Sequence, residues 1–238
     1  LEVGKRGMIA VAEILQHHNI PVTIFTTAAY AQENKEQLFF LAQKNEIASH
    51  SFYHSHFNDE DLLTSKAALE EITGTKVFGL RMPRMKHVEM LAVHDAGYRY
   101  DSSVNPTFIP GKYNNTHLPR AIYIQQQIYR VPCSVSPLLR IPLFWLAFKN
   151  FPYAVYKKLA IETIRKSGFL NLYFHPWEFT DISNYKLPHY VKRHSGSKLV
   201  DQLHRLINDL KKEATFDTMN NYLENEFISP STIELNRR

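Results

Sequence analysis

Histidines and charged residues follow several short apolar runs in this sequence, where side chains that do chemistry could gather. His50 and His54 are four positions apart, and on one side of a helical turn both imidazoles could bind a common metal ion. The spacing alone is weak evidence, because twelve histidines in 238 residues give roughly 0.6 such pairs by chance. His56 is a third nearby imidazole whose spacing fits a ligand less well.

Arg81, Asp101 and His175 are the other ionisable residues at the ends of predicted strands. Arg81 could orient a carboxylate and keep it ionised as a general base, or it could be an ordinary surface arginine before a turn. Asp101 could fix the tautomer of an imidazole, or it could cap the turn that follows it. His175, with Trp177 close by, could be a proton donor or a buried structural histidine.

The elements that must position these residues alternate between helix and strand. The hydrophobic pattern predicts helices over residues 5–18, 34–44, 58–73, 88–95, 153–166 and 198–212, and strands over 22–25, 46–49, 77–80, 98–101, 128–131 and 169–174. This alternation predicts an α/β fold with a parallel sheet, open or closed into a barrel. In such folds the chemistry lies beyond the carboxyl ends of the strands, which is where the ionisable residues stand.

Composition limits the class of protein. The 238 residues, of which 44% are hydrophobic and 21% charged, fit a single globular domain over residues 1–238. The lone Cys133 excludes an internal disulfide and a multi-cysteine zinc site, so histidines and carboxylates would have to hold a metal. The net charge is +5, but acidic neighbours interrupt the basic clusters, so no nucleic-acid partner is expected.

The longest apolar stretch, residues 141–148, is too short to span a bilayer. We interpret its part 144–148 as packed core or a lid, with contact to a membrane face as the alternative. No secretory signal pattern is visible, and the expected location is the cytoplasm or the periphery of the inner membrane rather than outside the cell.

Together these motifs resemble those of the polysaccharide deacetylases of the NodB-homology type, carbohydrate esterase family four. The segment from His50 to His54 is similar to that family's H-[ST]-x-x-H metal motif, and Arg81-Met82-Pro83 is similar to its R-x-P motif. Asp101 stands where the next Asp motif is expected, and residues 172–175, Leu-Tyr-Phe-His, are similar to the final L-x-x-H. The four motifs occur in the family's order.

The resemblance implies a distorted (β/α) barrel and a bacterial, metal-dependent hydrolase. Its substrate would be an N-acetylated glycan, either a polysaccharide or a lipid-linked oligosaccharide that brings the protein to a membrane surface. His50 and His54 would hold a divalent metal, with zinc as the first choice and cobalt, nickel or manganese as alternatives. Water activated by this metal would attack the acetyl carbonyl.

The resemblance also implies roles for the remaining candidate residues. His175 would protonate the leaving amine, Asp101 would tune His175, and Arg81 would orient the base. The residues expected to contact the substrate are Pro83, Arg84 and Trp177.

Two departures from the family pattern leave alternatives open. The family's first motif, a T-F-D-D-like strand that supplies the base and a third metal ligand, is not in this sequence, so we expect the first strand to be missing or incomplete. The metal could then be absent from this chain. Arg84-Met85 stands where the family has an aromatic residue and a glycine. The alternatives are a non-catalytic glycan-binding relative and a hydrolase of small non-peptide C–N bonds on the same barrel.

Overall fold

The computed structural model describes residues 2–228. The helices are α1 (Glu2–His18), α2 (Ala28–Glu33), α3 (Lys35–Ala42), α4 (Glu60–Thr73), α5 (Met90–Asp95), α6 (Trp145–Asn150), α7 (Tyr153–Ser167), α8 (His189–Lys192), α9 (Ser197–Leu210) and α10 (Met219–Leu223). The strands are β1 (Thr23–Thr26), β2 (Glu46–Ser49), β3 (Gly79–Leu80), β4 (Tyr100–Asp101), β5 (Phe108–Ile109), β6 (Tyr113–Asn114), β7 (Tyr123–Gln125) and β8 (Ile128–Arg130). Two 3₁₀ turns, Pro83–Met85 and Pro176–Phe179, and a π turn, Glu224–Ile228, complete the described structure.

The described residues form two compact units. The sheet unit comprises residues 20–102, 124–129 and 216–228, and the helical unit comprises residues 2–19, 103–123 and 130–215. The expectation of one catalytic domain over residues 1–238 stays a prediction.

The sheet unit is built on six strands in the order β1-β2-β3-β4-β8-β7. The first four strands run parallel, with Ile24 opposite Ile47 and Leu80 opposite Asp101. The predicted α/β class with a parallel sheet is therefore confirmed, and the described strands form an open sheet. Its core contains apolar side chains from the strands and from α4, among them Ile47, Leu62, Leu69, Leu80 and Tyr100.

Predicted end signals set the bounds of several helices. Gly74 ends α4 with φ of 68°, and Gly168 ends α7 with φ of 74°. Both glycines are in the left-handed region. Glycine has no Cβ to oppose that conformation, so both helices stop where the sequence predicts. The Thr27 side chain accepts a hydrogen bond from the Tyr30 backbone N–H and so caps α2, a short helix that the hydrophobic pattern does not predict.

The helical unit has α1 packed against the 3₁₀ turn Pro176–Phe179 and against α9. The apolar face of α9 is buried, as its predicted amphipathic pattern requires. The segment 144–148 contributes Ala147 and Phe148 to this core, which supports the interpretation as packed core for those two residues. Among residues 2–228, no helix combines the length and the apolarity needed to cross a membrane.

The prediction of a strand over residues 169–174 is wrong, because none of these residues belongs to a strand. Asn171 donates its backbone N–H to the Ser134 hydroxyl at 2.8 Å and its side-chain amide to the Pro132 carbonyl at 3.0 Å. The Ser134 backbone N–H also donates to Asn171 O at 2.9 Å, so one backbone bond and two side-chain bonds hold Asn171. Pro132 has no N–H to donate to a neighbouring strand. The predicted strand over 77–80 is also shorter than expected, since only Gly79 and Leu80 pair as β3.

Glu46 begins β2 and gives the sheet unit a pH dependence. Its carboxylate accepts hydrogen bonds from Tyr100 Oη at 2.8 Å, from Thr23 Oγ1 at 2.7 Å and from the Asn220 backbone N–H at 3.0 Å. Burial nevertheless raises the pKa of Glu46 above its ordinary value of 4.5. The folded state therefore binds this proton more tightly than the unfolded state does.

We expect the stabilising contribution of protonated Glu46 to be complete below pH 4.5 and to be lost as pH rises through the raised pKa. Glu46→Gln should flatten this part of the stability profile, because an amide does not titrate. Urea unfolding at several pH values between roughly 4 and 7 measures the difference. Glu36→Gln, which removes an exposed carboxylate on α3, is the control. A profile of Glu46→Gln that parallels the parent over this range would contradict the prediction.

Candidate functional site

The carboxyl ends of neighbouring strands bring three of the candidate residues to one edge of the sheet unit. The backbone N–H of His50 donates to Thr26 O at 2.8 Å, and that of Arg81 donates to Ser49 O at 2.9 Å. Asp101 is the last residue of β4 and pairs with Leu80, the last residue of β3. His50, Arg81 and Asp101 thus follow or end adjacent parallel strands, as the sequence predicts.

His50 and His54 lie in a loop after β2, so the expectation that they share a helical turn is wrong. Ser51 adopts a left-handed conformation with φ of 66°, which turns the chain away from helix at this point. The Ser51 carbonyl accepts a hydrogen bond from the backbone N–H of Ala28 at 3.2 Å, fixing the loop to the start of α2. The two imidazole rings still come together, with centroids 5.5 Å apart.

One contact fixes the orientation of the His50 ring. Its Nδ1 is 2.5 Å from the Arg81 carbonyl oxygen, which can only accept a hydrogen bond. Nδ1 must therefore carry the proton, and in the neutral ring Nε2 carries the lone pair that a metal ion would use. A histidine ligand whose other nitrogen donates to a backbone carbonyl is the usual arrangement in metal sites.

The side chain of Arg81 is buried, with 6% of the residue exposed, which excludes the interpretation as a surface arginine. Its Nε donates to Ser102 O at 3.0 Å and its NH2 donates to Ser102 Oγ at 2.7 Å. The guanidinium also lies over the Phe25 ring, 4.4 Å from the centroid. Arg81 thus holds the residue directly after Asp101, and Asp101 itself is fully buried.

Pro83 and Arg84 form the 3₁₀ turn after Arg81. Arg84 has φ of 56° and Met85 also has φ of 56°, so two consecutive residues with side chains adopt a left-handed backbone. This conformation costs a non-glycine residue about 1 kcal/mol or more. The departure seen in the sequence at Arg84-Met85 therefore places strain in a turn that directly follows the strand-end residues.

His175 belongs to the helical unit and precedes the 3₁₀ turn Pro176–Phe179. It does not end a strand, because the segment before it is not one. The Glu178 carboxylate Oε1 accepts from the His175 backbone N–H at 2.7 Å and lies 2.9 Å from its Nδ1. The side chain is 39% exposed, which excludes a fully buried structural histidine.

Aromatic rings surround His175 within the helical unit. The Trp177 ring stacks on the imidazole with an interplanar angle of 20° and centroids 5.4 Å apart, and Trp145 meets it edge-on at 5.3 Å. Within this unit the ring nitrogen of His175 is partnered by Glu178. The predicted pairing of Asp101 with His175 stays a prediction.

A fully buried Lys149 stands behind Glu178, and sequence reasoning missed it. Lys149 Nζ donates to Val191 O at 2.7 Å and to Ser195 Oγ at 2.8 Å, and it lies 4.0 Å from Glu178 Oε2. Burial lowers the pKa of Lys149, and the Glu178 carboxylate opposes this shift. The signal in the sequence is a single lysine directly after the apolar segment 144–148.

The two predicted metal ligands, His50 and His54, both lie in the sheet unit. Within the described part of that unit, no third histidine, cysteine or carboxylate brings a ligand atom close enough to share an ion with them. A group of three such side chains does occur in the helical unit, where the sequence did not predict one.

The fold and these strand-end residues define an α/β protein with its candidate site at the carboxyl edge of a parallel sheet. The family model described as polysaccharide deacetylase matches residues 5–100, and this confirms the predicted resemblance over that part of the chain. The matched part contains His50, His54, Arg81 and Pro83 and ends directly before Asp101. No curated protein matches the chain.

Solved structures share the fold at low sequence identity. A Mycobacterium smegmatis protein assigned to the polysaccharide deacetylases has a TM-score of 0.66 and 17% identity, covering 97% of this chain and 80% of its own. The PuuE allantoinase has a TM-score of 0.65 and 15% identity, with 97% and 76% covered. A CE4 family pseudoenzyme from Bacillus anthracis has a TM-score of 0.54 and 14% identity, with 92% and 61% covered. These similarities confirm the predicted fold class.

Proposed function

We propose that this protein is a metal-dependent deacetylase that removes N-acetyl groups from amino-sugar residues of a glycan. The observation that carries the proposal is the hydrogen bond from His50 Nδ1 to the Arg81 carbonyl. It prepares the His50 ring as a ligand, beside His54, in the part of the chain that matches the deacetylase family. The His54 ring, whose centroid is 5.5 Å from that of His50, would supply the second imidazole nitrogen.

His50 and His54 would hold the metal, and neutral imidazole nitrogens suit zinc, cobalt and nickel. Two imidazoles require further ligands, since zinc sites in enzymes use three protein ligands as a rule. When bound, the metal would supply a Lewis acid and a water of lowered pKa for attack on the acetyl carbonyl. Arg81 would keep the loop after Asp101 in place through its two hydrogen bonds to Ser102.

Hydrolysis of the acetamide requires that water add to the carbonyl carbon, that the C–N bond break, and that the amine nitrogen receive a proton. His175 is the proposed proton donor, since the Glu178 carboxylate lies 2.9 Å from its Nδ1 and fixes the orientation of the ring. The products are then acetate and a free amino sugar. Tuning of His175 by Asp101 remains part of this proposal.

The proposed contacts to the sugar come from Trp177, Pro83 and Arg84. Trp177 offers an indole ring that is partly exposed, and aromatic rings bind the apolar faces of sugars through the same contacts that they make in protein cores. The substrate would be an N-acetylated polysaccharide or a lipid-linked oligosaccharide, met in the cytoplasm or at the periphery of the inner membrane.

Acetate release from N-acetylhexosamine oligomers, measured with and without added Zn²⁺, tests the proposal. We expect zinc-dependent acetate release by the full-length protein and a loss of about a hundredfold or more in His54→Ala, because a metal ligand is removed. The matched control is His56→Ala, since His56 lies two residues away and stacks on Tyr53 with centroids 4.4 Å apart. We expect this control to keep the parent rate.

Other outcomes would overturn the proposal in distinct ways. Hydrolysis of allantoin or a cyclic imide without acetate release from glycans would identify a hydrolase of small C–N bonds. Binding of the oligomers without hydrolysis of either substrate class would identify a non-catalytic glycan-binding protein. Equal loss of activity in His54→Ala and His56→Ala would remove the assigned role of His54.

A further inference from the structure

Three histidines form a cluster in the helical unit, outside the residues assigned above. His17 and His18 end α1, and His204 lies on α9. His18 Nε2 is 2.8 Å from His204 Nδ1, and each of the three rings offers a nitrogen within 4.8 Å of the others. The ring centroids are 4.9 to 5.2 Å apart. Three imidazoles this close are the minimum donor set of an open zinc site.

The three histidines differ in solvent exposure, and an ion can reach the cluster from its exposed side. His18 is buried with 6% exposed, His204 is partly buried and His17 is exposed. His17 and His204 line an open cavity of about 560 Å³ together with Glu13, one turn before His17 on α1. The cavity leaves room for a water or another small ligand beside the rings, and Glu13 adds a negative charge.

The hydrogen bond between His18 and His204 does not account for the whole cluster. It uses one nitrogen of each of two rings, whereas the His17 ring also meets both others edge-on at 4.9 and 5.2 Å. Three side chains that gain positive charge on protonation are therefore gathered at one place. Each ring brings a nitrogen within 4.8 Å of a nitrogen of the other two, so one ion could contact all three.

We propose that His17, His18 and His204 form a second metal site of the protein, which binds a divalent ion that prefers imidazole ligands, Zn²⁺ or Ni²⁺. The fourth position of this site is open to the cavity beside Glu13. The ion ties the last turn of α1 to α9, and Lys211 Nζ, which donates to His18 O at 2.6 Å, also holds this helix end.

Small side-chain rotations complete the site. Two nitrogens bound to one zinc at 2.0 to 2.1 Å lie about 3.3 Å apart in tetrahedral geometry. The 2.8 Å between His18 Nε2 and His204 Nδ1 must open by about half an ångström, while the third nitrogen moves inward from within 4.8 Å. The Lys211 ammonium donates to the backbone carbonyl of His18 and not to its ring.

The experiment separates this site from the one proposed at His50 and His54. In the full-length His50→Ala/His54→Ala double variant, calorimetric titration with Zn²⁺ and with Ni²⁺ should still give one equivalent of bound metal. His204→Gln in this background should weaken binding at least about tenfold, because a ligand is lost. His87→Ala, which removes a histidine whose side chain is 82% exposed, is the matched control and should leave the affinity unchanged.

Two further readouts exclude a change in folding as the cause. Circular dichroism should be the same for all variants without metal. The same concentration of Zn²⁺ should raise the melting temperature of the double variant more than that of the variant that also carries His204→Gln. Co²⁺ should give visible absorption bands of a four-coordinate site that disappear with His204→Gln. No bound equivalent in the double variant, or equal affinity with His204 and with glutamine at 204, overturns the proposal whatever the outcome of the deacetylase assay.

Discussion

Lys149→Met is expected to lower the free energy of unfolding by about 3 to 5 kcal/mol, because it removes the cation from a buried ion pair. Lys149 and Glu178 are both fully buried, and Glu178 Oε2 accepts no hydrogen bond from the described residues. Its charge is therefore compensated by the Lys149 ammonium 4.0 Å away. The substitution would also leave the Val191 carbonyl and the Ser195 hydroxyl without their present donor.

Urea unfolding of a four-member set measures this effect: the parent, Lys149→Met, Glu178→Gln and the double variant. The double variant should lose less than the sum of the two single losses, since a buried carboxylate is no longer left alone. Lys157→Met is the control, because Lys157 forms a partly exposed pair with Asp209 at 3.3 Å and such pairs contribute about 1 kcal/mol at most. A loss for Lys149→Met no larger than that of this control would show that the buried pair is not a source of stability.

Gly7→Ala is expected to destabilise the helical unit by about 3 kcal/mol. A Cβ at position 7 would lie 1.8 Å from the Pro176 carbonyl oxygen, which is a backbone atom and cannot rotate away. Helix α1 must then move off the 3₁₀ turn Pro176–Phe179, and the hydrogen bonds of His175 to Glu178 lie in that turn. The substitution should therefore also change the environment of the His175 ring.

Gly4→Ala on the same helix provides the matched control with the opposite sign. A Cβ at position 4 would meet no heavy atom within 4 Å, and alanine favours helix over glycine by about 0.5 to 1 kcal/mol. Thermal unfolding of both variants measures the difference, and the imidazole proton signals of His175 by NMR report the local change. Equal stabilities of Gly7→Ala and Gly4→Ala would show that α1 does not need its close approach to Pro176.

Local patterns in the sequence were sufficient for most of the fold. The strand over residues 46–49 has the predicted bounds, and α4 and α7 stop at Gly74 and Gly168 as predicted. These features depend on hydrophobic periodicity and on glycine's access to a left-handed backbone, and both act between residues close in the chain. The strand-end positions of His50, Arg81 and Asp101 follow from the same periodicity.

The errors arose where distant residues decide the local structure. The apolar segment 169–174 resembles a strand, but Asn171 finds its partners in Ser134 and Pro132, which lie almost forty positions earlier. The loop of His50 and His54 leaves the helical conformation at Ser51, which has φ of 66° and is fixed to the start of α2. Neither contact leaves a periodic signal in the sequence.

The candidate residues that the sequence did not reveal are those whose partners lie far away in the chain. Lys149 and Glu178 are 29 positions apart in the chain, and His18 and His204 are 186 positions apart. A lysine and a pair of adjacent histidines are common in protein sequences. Only the packing of the folded chain shows that this lysine is buried and that these histidines lie beside a third. By contrast, Glu178 stands only three positions after His175 in the sequence, and its hydrogen bond to the ring is a local contact.

Arg81 contacts His50 through its backbone and Ser102 through its side chain. Its carbonyl fixes the His50 ring, and its guanidinium holds Ser102. Any amino acid carries the carbonyl, so the tautomer of His50 is encoded by the path of the backbone and tolerates substitution at position 81. The support of the segment after Asp101 is encoded by the side chain alone. A substitution at position 81 would therefore remove the hydrogen bonds to Ser102 and keep the hydrogen bond to the His50 ring.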